Sequence, residues 1–351
     1  DIFPDSKSDL FSMFVERSMS LVYDSGYLSF LTSQSWMFLN SYSNFRKMIY
    51  EKNQLIQMFH TGPGLFPDLG AFNVVTTTFL VKIGKNDSNN NCLFIKGNES
   101  TSIDDKIQSL RDSAKYNKLD LSILNSIPGK PLVYWLSLNA FQSFAKRNLI
   151  KDICPLRSGM TTTNNALFVR KWQEISLSNI SFNSKSEIDA SLSKKKWFPY
   201  NKGGEYRKWY GNNEYVVNYE NSGKTICDYI DNTEGARVAS NGRVISREFY
   251  FKEGIVYSIF GWENFGVRYK NEGFIFDVSG ASIFPTEWEI MLAYLCSNVA
   301  FYFLKALAPT VNFQPGDISR LPMPSLSLEK KIEIKRLTLN CVQIVRVDWD
   351  S

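Results

Sequence analysis

Residues 194–210 of this 351-residue sequence alternate cations with aromatic rings. The positive side chains are Lys194, Lys195, Lys196, Lys202, Arg207 and Lys208. The rings among them are Trp197, Phe198, Tyr200, Tyr206, Trp209 and Tyr210, and the one acid is Glu205. Cations meet phosphates and flat rings lie on sugars or bases, so this basic-aromatic segment predicts a nucleic-acid surface. The alternative is a solvated, charged loop whose rings belong to the core.

The length and composition predict a folded protein of two or three domains. A chain of 351 residues exceeds what one hydrophobic core usually serves. Hydrophobic residues make up 44% of it and aromatic residues 15%, which is typical of core-forming domains. The net charge of +5 permits an anionic partner without demanding one.

The cysteine and histidine content argues against metal sites and disulfides. Five cysteines lie far apart without a Cys-x-x-Cys pair, which indicates a reducing compartment, and we expect the cytoplasm. His60 is the only histidine, and we expect a structural residue at a strand end. No apolar run reaches the length of a membrane span, so no membrane partner is predicted. The first residue, Asp1, and the final Asp-Trp-Asp-Ser suggest an internal piece of a longer protein.

Periodicity in residues 1–83 predicts half of an α/β domain. Helices are expected over residues 9–22 and around 45–49. Strands are expected at 27–31, which reads as buried, and at 55–59 and 74–83. No Gly-rich turn that could hold a cofactor accompanies them.

Residues 84–150 read as a connector with helices near 103–110 and 135–149. From residue 153 short β-type runs follow, with strands expected at 166–169, 214–219, 249–251, 255–259, 266–269 and 274–277. One apolar helix is predicted over 287–306 and a last helix over 327–346.

Five separated blocks carry a resemblance to a known family. They are Asp-Ser-Lys-Ser-Asp-Leu-Phe at 5–11, Gln-Ser-Trp-Met-Phe-Leu at 34–39, Trp-Phe-Pro-Tyr-Asn-Lys-Gly-Gly at 197–204, Phe-Gly-Val-Arg-Tyr at 265–269 and Asn-Phe-Gln-Pro-Gly-Asp-Ile at 312–318. In this order they resemble the PglX family, the adenine-specific DNA methyltransferases of BREX phage-defence systems. That family lies within the restriction-modification N6-adenine methyltransferases.

The resemblance implies an α/β plus α+β fold: a partial doubly wound methyltransferase sheet followed by a mixed α+β target-recognition domain. The implied divisions are the C-terminal half of the catalytic domain at 1–83, the connector at 84–150, the recognition domain at 151–325 and a terminal helix at 326–351. The family binds S-adenosylmethionine through a Gly-rich loop and uses an Asn-Pro-Pro-Tyr tetrapeptide. This sequence has neither, so we expect no catalytic residue, no metal site and no bound cofactor in the chain itself.

The resemblance also implies flipping of the target adenine, because its N6 is unreachable inside a duplex. In such enzymes an aromatic ring before the last long strand stacks on the flipped base. The matching ring is Phe66, with Phe72 in reserve. A Phe before a turn is as often a core residue, so the structural alternative stays open.

The recognition domain would begin with the loop at residues 159–165, the Thr-Asn loop, where Thr162 and Asn164 are candidate DNA contacts. A second basic set consists of Arg237, Arg243, Arg247, Arg268 and Lys270. Arginine grips guanine in a bidentate way, so base readers are expected among the arginines and phosphate contacts among the lysines. Asn312 and Gln314 are adenine readers or structural caps. In the basic-aromatic segment we expect the lysines and Arg207 to face phosphates and some rings to be core.

The leading hypothesis is therefore a fragment of a site-specific adenine methyltransferase that contacts double-stranded DNA and is inactive alone. The alternative is a non-catalytic DNA-specificity module, or a surface for other proteins of the defence system. Steep salt dependence of duplex binding would distinguish a DNA surface from a protein surface.

Overall fold

The computed structural model describes residues 3–66, 68, 74–84, 90–145, 148–233, 239–261, 264–308 and 312–351. The chain forms two compact units, Asp1–Arg147 and Asn148–Ser351. Helices accompany mixed sheets in both units, so the fold is mixed α/β.

The first unit contains a five-stranded sheet. Its strands are β1 (Tyr27–Ser33), β2 (Gln54–Gly62), β3 (Thr76–Lys82), β4 (Asn91–Lys96) and β5 (Tyr116–Asp120). Its described α-helices are α1 (Leu10–Met19), α2 (Ser43–Lys47), α3 (Ile103–Ser109) and α4 (Leu138–Ala145). The sheet order is β1-β3-β2-β4-β5. Strands β1, β2 and β4 run in one direction, and β3 and β5 run against them.

Local sequence explains why the predicted elements of this unit form. Asp9 caps helix α1: its carboxylate accepts a hydrogen bond from the Leu10 N–H, and the helix buries Val15 and Met19. Strand β3 is a run of β-branched and aromatic residues that buries Phe79 and Val81 at alternate positions.

Strand β1 is present as predicted, but its predicted burial is wrong. Tyr27 is 61% exposed and Leu31 is 43% exposed. The reason is position: β1 ends the sheet order and pairs only with β3 among the described strands.

The predicted boundary at residue 83 does not divide the structure. Strands β4 and β5 come from the predicted connector, and β4 pairs with β2 in parallel. The buried residues Cys92, Phe94 and Ile95 add to the core of the same unit, which explains why the sheet extends here. Three of the four strand pairings are antiparallel, whereas a doubly wound sheet is mostly parallel.

The second unit contains two sheets. Its strands are β6 (Leu156–Arg157), β7 (Val169–Lys171), β8 (Trp197–Asn201), β9 (Lys208–Trp209), β10 (Tyr215–Asn218), β11 (Gly254–Tyr257), β12 (Val267–Lys270), β13 (Ile275–Phe276) and β14 (Ser282–Ile283). The sheet orders are β13-β8-β10-β7 and β6-β14-β11-β12-β9. The described α-helices are α5 (Asn165–Phe168), α6 (Glu187–Leu192), α7 (Glu220–Asp231), α8 (Trp288–Cys296), α9 (Asn298–Leu307), α10 (Pro315–Ile318) and α11 (Leu328–Asp350).

Aromatic rings fill the core around the four-stranded sheet. Phe198 meets Tyr219 and Phe251 edge to face, with ring centroids 6.2 and 5.9 Å apart. Tyr250 contacts Phe276 in the same way at 5.6 Å. These edge-to-face contacts favour one arrangement of the rings, so they hold β8 against Phe251 and the residue before α7, and they hold β13 against Tyr250.

Three element predictions in this unit need correction. Residues 165–168 form the short helix α5 rather than a strand, because the Asn164 side chain caps it. Residues 247–249 form a 3-10 turn, and no strand is assigned at the described residues 249–251. The helix predicted at 287–306 is two helices, because Ser297 is extended and its side chain accepts from the Ala300 N–H to start α9.

Helices α8 and α9 meet at a bend of 72°. Within the described ranges no single helix is long and apolar enough to cross a membrane, and this bent pair meets the criterion only when its two halves are combined.

Candidate nucleic-acid interface

The middle of the basic-aromatic segment is the central strand β8. Because β13 and β10 flank it, Phe198 and Tyr200 are 1% and 0% exposed. The Tyr200 hydroxyl donates to the Asp277 carboxylate at 2.6 Å, and burial raises its pKa well above the usual value. Tyr200, a predicted DNA contact, is therefore a core residue, while the prediction that some rings of the segment are core is confirmed.

Lys202 pairs with the same carboxylate. Its Nζ lies 3.2 Å from Asp277 Oδ2, and Asp277 also accepts from the Ser279 N–H at 2.8 Å. A buried carboxylate needs such partners. Lys202 thus serves as the counter-ion of Asp277, and a phosphate contact by Lys202 would compete with this ion pair.

Hydrogen bonds from neighbouring side chains hold the Gly203-Gly204 turn that follows β8. The Gly203 carbonyl accepts hydrogen bonds from Ser258 Oγ at 2.9 Å, Asn212 Nδ2 at 3.0 Å and Arg268 Nη2 at 2.8 Å. Gly204 has φ +72°, a conformation that favours glycine. The turn is therefore fixed in place by three donors.

Arg268 and Lys270 are buried, which contradicts their predicted DNA contacts. Arg268 is 0% exposed, and burial lowers its pKa to about 10, so it stays charged at neutral pH. Lys270 is 1% exposed, donates to the Lys252 carbonyl, and lies 5.2 Å from the Phe284 ring centroid. Burial lowers its pKa to about 7. Neither side chain can reach DNA from these positions.

Arg207 and Lys208 also contact protein groups. The Lys208 Nζ donates to the Cys296 carbonyl at 2.6 Å. The Arg207 guanidinium lies 4.5 Å over the Trp349 ring and 3.9 Å from the Asp348 carboxylate, although the side chain stays partly exposed. Side chains of helix α11 therefore contact the Arg207 guanidinium, which we expected to face phosphate.

The three lysines before β8 differ from the rest of the segment. Lys194 and Lys196 are exposed. Lys195 is half-buried, and its Nζ donates to the Ser178 carbonyl. Of the predicted phosphate contacts in this segment, Lys194 and Lys196 are the ones that present an exposed charge.

The Thr-Asn loop lies against β13. The Met160 N–H donates to the Phe276 carbonyl at 3.0 Å, and the Thr161 N–H donates to the Arg243 carbonyl at 2.8 Å. A Cβ at Gly159 would lie 1.9 Å from the Phe276 carbonyl oxygen. The close approach of the two backbones therefore requires glycine at this position.

Side chains of this loop stabilise the loop itself. Thr162 is 1% exposed and hydrogen-bonds to Asn165 at 2.7 Å, so it cannot contact DNA as predicted. Asn164 accepts from the Leu167 N–H at 3.1 Å and donates to the Tyr229 hydroxyl at 3.0 Å, so it caps α5. Arg243, beside the loop, is partly exposed.

Arg247, predicted to read a base, stabilises an unusual turn. Its Nη1 donates to the Tyr219 hydroxyl at 2.9 Å and to the Ser222 carbonyl at 2.7 Å, and lies 3.6 Å from Glu187. Ser222 has φ 57°, a strained value for a non-glycine residue. These contacts occupy Nη1 and give Arg247 a structural role, while its reading of a base stays a prediction.

Asn312, Gln314 and Phe66 are the remaining candidates among the described residues. Asn312 makes a bridge with Phe260, and Gln314 caps the short helix α10, where its N–H donates to Asp317 at 3.0 Å. Phe66 follows β2 and is 39% exposed, so its ring is accessible. Phe72 and Arg237 lie outside the described residues.

The Tyr200 hydroxyl of β8 lies within hydrogen-bond distance of the Met160 carbonyl in the Thr-Asn loop and of the Asp277 carboxylate. These contacts bring the loop and the C-terminal end of β8 together. Lys194 and Lys196 lie at the other end of that strand. At about 3.3 Å per residue, Lys196 and Lys202 are roughly 20 Å apart. That span corresponds to about six base pairs of duplex.

Sequence reasoning did not identify Asp277, Asn212 or Ser258. Asp277 had a weak signal, because an acid directly after the apolar run Phe-Ile-Phe is unusual. The other two are ordinary turn residues, and only the tertiary structure shows their contacts. In the described part of the chain, no group of three or more His, Cys, Asp or Glu residues could hold a metal ion.

Comparison with solved structures shows the fold. The Type IIL restriction-modification enzyme MmeI, solved in complex with DNA, matches 96% of this chain and 45% of its own with a TM-score of 0.63 at 10% identity. The Type ISP enzyme LlaGI, solved with a DNA substrate mimic, matches 96% of this chain and 31% of its own with a TM-score of 0.53 at 12% identity.

Comparison with sequences shows closer relatives. The family model of the Eco57I restriction-modification methylase matches residues 3–66. Adenine-specific methyltransferase PglX of Lacticaseibacillus casei (strain Zhang) is 35% identical over 99% of this chain. Adenine-specific methyltransferase BrxX of Escherichia coli O9:H4 (strain HS) is 31% identical over 99% of this chain. The chain spans 29% and 27% of the length of these relatives. The predicted resemblance is confirmed: along nearly its whole length, the chain is similar to a segment of the adenine-specific methyltransferases PglX and BrxX.

Proposed function

We propose that the chain is part of a site-specific adenine-N6 DNA methyltransferase of phage defence and supplies recognition of the target base and the DNA sequence. The observation that carries this proposal is the similarity to two adenine-specific methyltransferases over 99% of the chain. The parent enzyme would transfer a methyl group from S-adenosylmethionine to adenine in the cytoplasm.

The two units would divide the work. The unit Asp1–Arg147 would be part of the catalytic domain, since residues 3–66 match a methylase family. The unit Asn148–Ser351 would be the target-recognition domain, with α11 as its last helix. No residue of this chain is assigned to S-adenosylmethionine, because the sequence contains neither a Gly-rich cofactor loop nor a Pro-Pro pair.

The proposed DNA surface of the second unit consists of exposed polar groups. Lys194 and Lys196 would neutralise phosphates. Thr163 and Asn165 of the Thr-Asn loop are exposed, and Arg243 is held beside them by the hydrogen bond from Thr161 to its carbonyl. Arg243 is the proposed base reader, because the residue is partly exposed while the guanidinium groups of Arg247 and Arg268 are engaged by protein groups.

A salt titration of duplex binding tests this surface. Each phosphate contact contributes about 0.9 to the slope of log K against log salt, so Lys194→Gln/Lys196→Gln should lower the slope by roughly 2. Fluorescence anisotropy of labelled bacterial genomic fragments gives the affinity at each salt concentration.

The matched control is Lys330→Gln/Arg336→Gln, which removes two exposed cations from α11. This pair should leave the slope unchanged. Equal slopes for the wild type and the Lys194→Gln/Lys196→Gln variant would remove these lysines from the interface.

Phe66 is proposed to stack on the flipped adenine. In the full-length enzyme, Phe66→Ala should reduce methylation of unmethylated genomic DNA about tenfold, because base stacking contributes about 1–3 kcal/mol. Phe66→Trp should retain activity, since it keeps a flat ring. Transfer of tritiated methyl groups measures the rate. Tyr23→Ala, which removes an exposed ring elsewhere in the unit, is the control. The same rate for both alanine variants would contradict the role of Phe66.

A further inference from the structure

The second unit has an open groove of about 1050 Å³ that the proposed DNA surface does not include. It lies beside the start of β10 and the end of α11, where Glu214, Asn213 and Trp349 line it. Its walls carry six aromatic side chains: Trp172, Phe182, Tyr210, Tyr269, Phe274 and Trp349. Trp172 and Phe182 are 39% and 44% exposed, so part of this ring surface faces solvent.

The charges that line the groove are mostly negative. Its carboxylates are Glu214, Glu253, Glu272 and Asp350, and its one cation is Arg346. The Arg346 guanidinium is engaged, because it lies 4.7 Å over the Tyr210 ring and donates to Asn271 at 3.0 Å. The groove therefore presents more negative charge than its own arginine offsets.

Two of these carboxylates have protein partners. Glu253 accepts from the Tyr269 hydroxyl, and Glu272 lies 3.0 Å from Lys185. No described residue makes a hydrogen bond or ion pair with the side chains of Glu214 and Asp350. Asp350 is exposed and Glu214 is half-buried near the charge of Arg268, and neither carboxylate makes a direct contact that a ligand would have to break.

This chemistry disfavours nucleic acid and suits a cationic partner. Carboxylates repel phosphates, so the groove opposes the charge of a duplex. Guanidinium and ammonium groups are attracted both to aromatic faces and to carboxylates. Side-chain amides from Asn183, Asn213 and Asn271 add donors and acceptors for a peptide backbone.

We propose that this groove binds an arginine- and lysine-rich segment of a protein partner. The partner's cations would lie over the exposed rings of Trp172 and Phe182 and pair with Glu214 and Asp350. The proposal is independent of DNA recognition, because the groove contains none of the residues assigned to the DNA surface.

The test uses the 351-residue chain and a fluorescein-labelled octapeptide of alternating arginine and leucine. A second peptide carries citrulline, the neutral counterpart of arginine, at the same positions. We expect the arginine peptide to bind at least tenfold more tightly by fluorescence anisotropy. Equal affinity for both peptides would overturn the proposal without any variant being needed.

Variants locate the binding. Two charge pairs with the peptide are lost together, so Glu214→Gln/Asp350→Asn should weaken binding of the arginine peptide about tenfold. The control Glu329→Gln/Glu333→Gln removes the same charge from the exposed side of α11 and should leave binding unchanged. Equal losses in both variants would show nonspecific attraction and overturn the proposal.

Competition with duplex DNA separates this groove from the DNA surface. An unlabelled duplex should not displace the arginine peptide from the protein at 0.15 M salt, after correction for direct binding of the peptide to the duplex. If the duplex displaces the peptide and Glu214→Gln/Asp350→Asn strengthens duplex binding, the groove is a nucleic-acid surface instead.

Discussion

His60 is buried in β2 with both ring nitrogens engaged. Its Nδ1 lies 3.2 Å from the Tyr134 hydroxyl and its Nε2 lies 2.6 Å from Gln34 Oε1. Burial lowers its pKa to about 3, and the positive charges of Lys106 and Lys96 act in the same direction. The imidazole is therefore neutral near pH 7, and the predicted structural role at a strand end is confirmed.

The lowered pKa makes stability depend on pH. The unfolded histidine protonates near pH 6.5, whereas the folded one does so only near pH 3. Its contribution is thus fully present above pH 6.5 and is lost as the pH falls towards 3. Between pH 7 and pH 4.5 the wild type should lose about 2 kcal/mol more than His60→Gln, which keeps a polar side chain without a titrating ring. Urea unfolding at both pH values measures the difference. Equal losses would show that the pKa of His60 is the same in the folded and unfolded states.

For single residues, the sequence predicts the type of contact a side chain can make better than whether that side chain is buried or exposed. The lone histidine indicated a structural residue, and the alternation of cations and rings drew attention to residues 194–210. Nothing in the sequence indicated that Arg268 and Lys270 are buried, because charged residues are usually exposed and their burial depends on distant partners such as Ser258.

At the scale of elements, the contact between the Thr-Asn loop and β13 depends on Gly159. Gly159→Ala would place a methyl group 1.9 Å from the Phe276 carbonyl oxygen. The backbones must then move apart, and we expect a loss of about 2 kcal/mol in the free energy of unfolding.

Gly316→Ala is the matched control for this substitution. No atom lies within 4 Å of the added methyl group at this position in α10. Alanine there should be neutral or stabilising by about 0.5 kcal/mol. Denaturant unfolding compares the two variants, and similar effects would show that the close approach at Gly159 is not what requires glycine.

Element predictions succeeded where one periodic pattern covers the whole element. Helix α1 and strand β3 follow such patterns, and their bounds lie close to those expected. The prediction of one helix at 287–306 is wrong because the apolar pattern continues through Ser297, while the cap formed by that side chain starts a new helix. The hydrogen bond from the Ala300 N–H to the Ser297 side chain starts the second helix, and apolar periodicity does not reveal such a local contact.

At the scale of the whole molecule, the chain spans less than a third of its relatives. The purified 351 residues should bind duplex DNA but transfer no methyl group, because the sequence has no Pro-Pro tetrapeptide and no Gly-rich cofactor loop. Incorporation of tritiated methyl groups into genomic DNA checks this, with full-length PglX as the positive control. Measurable transfer by the chain alone would contradict the proposed division of roles.

The arrangement of β8 has a consequence for how this protein can change over evolutionary time. Its rings carry the core, whereas Lys194 and Lys196 precede the strand on the exposed surface. Under the proposed function, substitutions at the two lysines would alter the attraction to DNA while leaving the folded framework intact, whereas substitutions at the buried Phe198 or Tyr200 would disturb that framework. Under that proposal, the affinity for DNA and the stability of the fold depend on different residues and can change independently of each other.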